Sequence, residues 1–219
     1  MDEPPTTATP PAFDDAFRDQ FEALLRWRRD VRRFREDPVN GALVDRLIAL
    51  AGLAPSVGNS QPWRFVKVDD PVRRQAVRAS FEACNRDALA DYHGERARLY
   101  ASLKLAGLDR APVHLAVYAD TATALGDGLG RRTMPEMLQY SVVAAVHALW
   151  LAARAHGLGV GWISILDAAT VDAALDVPEA WRLIAYLCVG YPEEEHLDPE
   201  LERHRWQERI DVADCIVHR

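Results

Sequence analysis

Between Arg28 and Arg35 the chain reads Arg-Arg-Asp-Val-Arg-Arg-Phe-Arg, five guanidinium groups in eight positions. Guanidinium forks make bidentate, charge-assisted bonds to phosphate oxygens, so the segment has the chemistry of a phosphate clamp. A solvated helix end, where cations complement the C-terminal dipole, accounts for the same residues. Chain-wide usage strengthens that plainer reading, because 24 of the 26 basic residues are Arg. Asp30 is the oddity. A carboxylate at a helix C-terminus meets an unfavourable dipole and, if ionised, repels phosphate. It either braces the arginines beside it or serves as a general base whose charge they sustain.

Two further segments carry donors, acceptors and glycines in suggestive order. Pro55-Ser-Val-Gly-Asn-Ser-Gln-Pro-Trp63 offers small polar groups beside an aromatic wall, which suits the polar edge of a planar heterocycle. An ordinary turn between a helix and a strand uses the same residue types. Gly157-Leu-Gly-Val-Gly-Trp-Ile-Ser164 fails as a dinucleotide fingerprint, because it follows a helix and leads into a strand, the reverse of the order that motif needs. Gly157 reads as a helix C-cap, while Gly159 and Gly161 would let a flat ligand approach the backbone. Seven histidines lack metal-ligand spacing, Ser141 and Ser164 lack a nucleophile elbow, and Gly126 to Gly130 lacks the Lys and Ser/Thr of a P-loop.

The elements that must position these residues follow from periodicity. A helix is predicted from about Asp14 to Arg28, with Phe17, Phe21, Leu24 and Leu25 at helical spacing, and a second from Pro38 to Gly52. Strands are predicted at Trp63–Val68, Val113–Ala119, Val160–Ile165 and Leu183–Val189. Residues 71–105 are helical in propensity with a break near His93 and Gly94, and Met137–His156 forms a long helix, apolar nearly all round. Long helices and separated strands without βαβ alternation give an α+β fold, a mixed sheet flanked by helices. Residues 1–12 read as a mobile, Pro- and Thr-rich tail, and 13–219 as a single domain. At 219 residues the chain has the proportions of a globular protein, 49% apolar and 27% charged. Its net charge of −7 disfavours nucleic acid as a partner. The longest apolar run, Val142–Ala153, is too short to cross a membrane. Three scattered cysteines without a CxxC pair point to a reducing cytoplasm.

Taken together and in order, the Arg-rich segment, the PSxxNxQPW loop and the GxGxGW run resemble the nitroreductase-like FMN flavoprotein superfamily, from about Phe13 to Val217. That resemblance implies an intertwined homodimer with FMN at the interface. It implies that Arg28, Arg29 and Arg32 hold the FMN phosphate, and that Pro55, Ser56 and Asn59 face the flavin from the other subunit. Asp30, Val31, Leu105, Gly161, Trp162, Ser164 and Arg209 complete the expected cradle. One departure is Arg205, before Trp206, where the family commonly has Gly.

Within the superfamily the closer resemblance is to the branch that consumes its flavin. Ordinary nitroreductases usually carry Ser or another small residue where this chain has Asp30. Gly94-Glu-Arg96, Ser102-Leu-Lys-Leu105, Met134-Pro-Glu-Met137, Leu149–Arg154 and Gly159–Ser164 also match that branch. The implied reaction is the fragmentation of reduced FMN by molecular oxygen to 5,6-dimethylbenzimidazole, the cobalamin lower ligand, and erythrose 4-phosphate. FMN is then a substrate, supplied reduced by a separate flavin reductase. Asp30 and Ser164 would serve the chemistry, the first as general base and the second by hydrogen-bonding the flavin's reactive edge. Residues 86–108 would form a lid that excludes water. The alternatives are an NAD(P)H-dependent nitroreductase or related FMN oxidoreductase whose FMN survives each turnover, and a non-catalytic flavin carrier.

Overall fold

The computed structural model describes residues 9–103 and 107–219; the expected contact Leu105 and most of the expected tail lie outside them. Helices α1 (Asp15–Trp27) and α2 (Gly41–Ala51) precede β1 (Trp63–Lys67), then α3 (Pro71–Ala90) and α4 (Gly94–Ser102). Next come β2 (Val113–Asp120), α5 (Met137–Ala155), β3 (Gly159–Ile163), α6 (Ala168–Leu175), β4 (Trp181–Gly190) and the short α7 (Glu200–Arg203). Side chains start the helices where the sequence supplies them. Asp14 accepts from Phe17 N at 2.8 Å, Asn40 from Ala42 N at 2.8 Å, and Asp70 from Val72 N at 2.8 Å ahead of Pro71.

The α+β class holds. The sequence predicts a mixed sheet, whereas the four strands pair antiparallel throughout, in the order β1-β2-β4-β3. Among the described residues, parallel pairing is confined to an isolated bridge between Asp30 and Val160 at the β3 edge. Alternation along the central strands sends side chains into two cores. Leu115, Val117, Leu187 and Val189 pack with Val44 and Leu47 of α2 and Val146 and Leu149 of α5. Ala116, Tyr118, Tyr186 and Cys188 pack with Val77 and Phe81 of α3 and Val171 and Leu175 of α6. Both faces are covered, so these strands read as nearly continuous apolar runs.

Strand β3 ends at Ile163, two residues earlier than the sequence suggests, because the chain turns toward Asp167, which caps α6 through Thr170 N at 2.7 Å. Helix α1 buries none of its residues. Phe13, Phe17 and Phe21 stack along its exposed side with centroids 4.6 and 6.4 Å apart. Its apolar face therefore has no cover among the described residues, and with Trp27 and the end of α5 it walls an open groove of about 540 Å³. No helix among the described residues is long and apolar enough to cross a membrane, and no metal-holding group of His, Cys, Asp or Glu occurs among them.

Candidate active site

Helix α1 ends at Trp27 and Arg28 caps it, its N–H donating to Leu24 O at 3.0 Å; from Arg29 onward the Arg-rich segment leaves the helix and runs extended beside β3. Val31 N donates to Val160 O at 3.0 Å, Arg35 N to Tyr191 O at 2.8 Å, and Glu193 N to Arg33 O at 3.1 Å. The glycines opposite make that approach possible. A Cβ on Gly161 would come within 2.2 Å of Val31 O, and one on Gly159 within 2.6 Å of the Val31 side chain. The space that a side chain would fill at each is thus taken by Val31, by its side chain at Gly159 and its carbonyl at Gly161. Gly157 caps α5 as the sequence suggests, at φ +74° with Leu158 N returning to Ala153 O at 2.9 Å.

This threading fixes Asp30. Its Oδ1 accepts from Trp162 N at 3.0 Å, and its Oδ2 accepts from Arg32 Nε at 3.3 Å. Standing three residues past α1, it escapes the dipole conflict that the sequence raises. Burial pushes its carboxyl above the usual range, the Trp162 N–H and Arg32 oppose that rise, and Glu200 adds to it. Asp30, Val31, Arg32, Gly161, Trp162 and Ser164 line a single cavity of about 150 Å³, closed by Phe81, Ile163 and Ile165. Six of the residues singled out in the sequence thus come together.

The arginines divide by task. Arg28 lies over the Trp150 ring at 5.0 Å, and Arg33 is taken up by Glu194 and, at 3.2 Å, by Glu200. Arg35 pairs with Asp37 at 2.9 Å and covers Tyr191. Arg29 and Arg32 differ. Arg29 Nε and Arg32 Nη1 are buried with no hydrogen-bond partner among the described residues, an arrangement that costs free energy unless an acceptor arrives. Arg209 joins Arg26 and Arg29 around a second pocket of about 350 Å³. Burial first, then Arg28 and Arg209, draw the Arg29 guanidinium down from its ordinary value. Unpartnered guanidinium nitrogens of this kind suit an anion such as a phosphate monoester, which would bind beside the carboxylates Asp198 and Glu202 that line the same pocket.

Arg205 does not disturb the pocket. It takes the left-handed conformation at φ +55° that closes α7, with Trp206 N donating to Leu201 O at 2.8 Å, so an Arg stands where Gly is usual without changing the turn. Glu200, only 10% exposed and 3.9 Å from Arg32, carries no sequence signal beyond its acidic neighbourhood. Phe81 is legible in the sequence only as a core partner of Val77 one helical turn away.

Pro55, Ser56 and Asn59 lie elsewhere. Their loop is braced by Gln61 N on Ser56 Oγ and Val57 N on Ser141 Oγ, both at 3.0 Å, and packs against the Gly126–Gly130 turn, where Gly58 O sits 2.3 Å from a Cβ built on Gly126. It leads into β1 opposite Ala119, whereas Asp30 pairs beside β3 near the Val113 end of β2. β1 and β3 are opposite edges of the sheet, three strand spacings or roughly 14 Å apart, and the two points are a further ~20 Å apart along the strands. One chain does not bring the loop to Asp30.

The Nitroreductase family profile matches residues 25–191, and the chain belongs to that family. It is 60% identical over 201 residues to the 5,6-dimethylbenzimidazole synthase of Rhodospirillum rubrum, covering 92% of this chain and 95% of that protein. It is 48% identical over 198 residues to a 5,6-dimethylbenzimidazole synthase of Rhodobacter capsulatus, covering 90% and 96%. Among solved structures it is similar to oxidized iodotyrosine deiodinase bound to FMN and 3-iodo-L-tyrosine, with a TM-score of 0.68 and 26% identity over 80% of this chain and 91% of that one.

Proposed function

We propose that the protein fragments reduced FMN with molecular oxygen to give 5,6-dimethylbenzimidazole and erythrose 4-phosphate. Likeness to the two synthases over nine-tenths of the chain supports this reading. One observation of the site carries it: Asp30 and Ser164 share a cavity with Arg32, which has an unpartnered buried nitrogen, and Arg29, with another, directly precedes Asp30. Bound reduced flavin supplies the electrons that activate oxygen and is itself the material from which the product is cut.

The residues then take distinct tasks. Arg29, Arg32 and Arg209 hold the phosphate, and the hydrogen bond from Trp162 N fixes the Asp30 carboxylate toward the ribityl chain. Burial raises the basicity of Asp30, which suits a group that must take a proton as the ring fragments. The Ser164 hydroxyl hydrogen-bonds the flavin's reactive edge. Pro55, Ser56 and Asn59 come from a second copy, because their own copy holds them at the far edge of the sheet. The uncovered aromatic face of α1 and the exposed Tyr140 and Val143 of α5 supply apolar surface for such a homodimer. Residues 86–108, including Leu105, act as a lid over a single domain spanning 13–219, and a separate flavin reductase in the cytoplasm supplies the reduced substrate.

The test is to give the protein chemically reduced FMN and air, then identify the products by mass spectrometry. 5,6-Dimethylbenzimidazole in stoichiometric yield is expected. Intact oxidised FMN as the sole flavin product would instead assign the protein to the flavin-preserving oxidoreductases or to flavin carriers.

A further inference from the structure

One aromatic cluster lies outside the cavity and joins residues of the proposed lid to the C-terminal segment. Trp206, half-buried, comes directly after the turn that closes α7. Tyr92 meets its ring edge-on at 5.5 Å, Tyr100 lies at 6.1 Å, and Arg96 covers it at 4.3 Å. Arg96 also donates through Nη1 to Trp206 O at 2.8 Å. The grip is anchored, because Tyr92 and Tyr100 stack at 4.9 Å and the Tyr100 hydroxyl donates to Asn85 Oδ1 of α3 at 2.8 Å. Two residues of α4 and one of the α3–α4 turn therefore hold one residue of the C-terminal segment.

The residues beyond Trp206 give the grip its importance. Arg209, three residues on, lines the pocket that it shares with Arg26 and Arg29. Three guanidinium groups, Arg26, Arg29 and Arg209, meet there, and the two carboxylates of the same pocket, Asp198 and Glu202, the latter paired with Arg209 at 3.9 Å, offset only part of their mutual repulsion. The rest of the segment offers little resistance to that repulsion, since Ile210, Val212, Ile216 and Val217 are all at least 60% exposed. Trp206 is the anchored point from which Arg209 is held.

We propose that Trp206 is a positioning residue: gripped by Tyr92, Arg96 and Tyr100, it sets Arg209 beside Arg29, so that a phosphate monoester filling their pocket also holds α4 in place. Coupling of this kind is reciprocal, so whatever loosens the grip weakens the phosphate and whatever binds the phosphate tightens the grip. The proposal rests on the reading that Arg29 and Arg209 receive the FMN phosphate.

The experiment compares oxidised FMN with riboflavin, which lacks the phosphate, on the full chain. Affinity is read by flavin fluorescence and order in α4 by hydrogen exchange of a peptide covering 94–102. In the unaltered protein FMN should slow exchange in α4 and riboflavin should not. Trp206→Leu and Arg96→Gln should each cost about tenfold in FMN affinity, with riboflavin changed by less than about twofold, and should abolish the slowing. Arg96 is exposed, so its substitution tests the grip even if Trp206→Leu fails to fold. FMN that still slows α4 in the folded variants overturns the proposal. So does a riboflavin effect on α4 equal to that of FMN. Equal affinity of the unaltered protein for the two flavins overturns the phosphate reading itself, a result distinct from failure of the grip, in which FMN keeps its full advantage in every variant.

Discussion

Replacing the arginines of the 28–35 segment one at a time should sort them by what each already touches. Arg29 and Arg32 each bury a guanidinium nitrogen that has no partner, so a phosphate oxygen there gains a charge-assisted bond worth about 1.5–3 kcal/mol, or about 10- to 150-fold in affinity. Arg28 lies over Trp150 at 5.0 Å, a contact worth about 0.5–1 kcal/mol to the fold, and has no nitrogen among the buried unpartnered ones. Arg33 is held by Glu194 and Glu200. Arg29→Ala and Arg32→Ala should therefore weaken FMN at least about tenfold relative to riboflavin. Arg28→Ala and Arg33→Ala should move the two flavins together, by less than about threefold. Arg32 also pairs with Asp30 at 3.3 Å, so Arg32→Lys, which keeps the charge and loses the fork, should fall between wild type and Arg32→Ala. Flavin fluorescence titrations at one fixed pH give the constants needed. If Arg28→Ala separates FMN from riboflavin more than Arg29→Ala does, then an unpartnered buried nitrogen is not the mark of the phosphate contact, and the assignment fails.

Asp30→Asn and Ser164→Ala should each lower dimethylbenzimidazole formation by at least about tenfold while reduced FMN still binds, because Asn keeps an acceptor for Trp162 N but cannot take a proton; normal turnover in both would remove these residues from the chemistry. His114, buried against Tyr186 OH at 2.9 Å, has its ring held neutral by burial first and by Arg74 second, with its pKa lowered to about 4. A value below the unfolded ~6.5 means the unfolded chain binds the extra proton, so stability is full above pH ~6.5 and falls toward pH 4, by about 2 kcal/mol at pH 5; urea unfolding at fixed protein concentration should show this loss, and His114→Asn should abolish it. Arg205→Gly should stabilise the protein by about 0.5–1 kcal/mol in the same assay by relieving a left-handed φ of +55°, and a loss of stability would mean that the Arg side chain has a task. Gly161→Ala should destabilise by at least about 2 kcal/mol and weaken FMN and riboflavin alike, since its methyl would collide with Val31 O; an unchanged melting temperature would show that the 28–35 segment lies elsewhere.

Much of the fold is legible locally. Asp14, Asn40 and Asp70 announce their helices by capping chemistry, and the apolar runs of β2 and β4 announce strands covered on both faces. What the sequence hides is long-range. The eight residues of α6 are too few for a helical pattern to declare itself, although Asp167 and Thr170 carry its capping signal. The all-antiparallel pairing depends on strand order, which periodicity does not reveal. The helix end predicted at Arg28 is met, Arg28 being the cap of α1, whereas the extended course of 29–35 is hidden because Arg-rich composition suits a helix end as well as an extended strip, and only the β3 backbone decides between them.

The glycine run shows how a motif can be right and its first explanation wrong. Gly159 and Gly161 look like room for a flavin, yet the nearest atoms to their missing side chains belong to Val31. Removing two side chains lets the 30–32 segment settle on β3 closely enough for Asp30 to accept from Trp162 N, the peptide next to Gly161. The glycines act on the chemistry at one remove, by delivering a carboxylate to the cavity edge. The same logic explains why the Arg segment and the Gly157–Ser164 run form one unit in space although they are far apart in the chain, while the PSVGNSQPW loop, equally suggestive in sequence, sits at the opposite edge of the sheet. A site that uses both must be assembled from two copies, and the aromatic face that α1 leaves uncovered is surface available for that assembly.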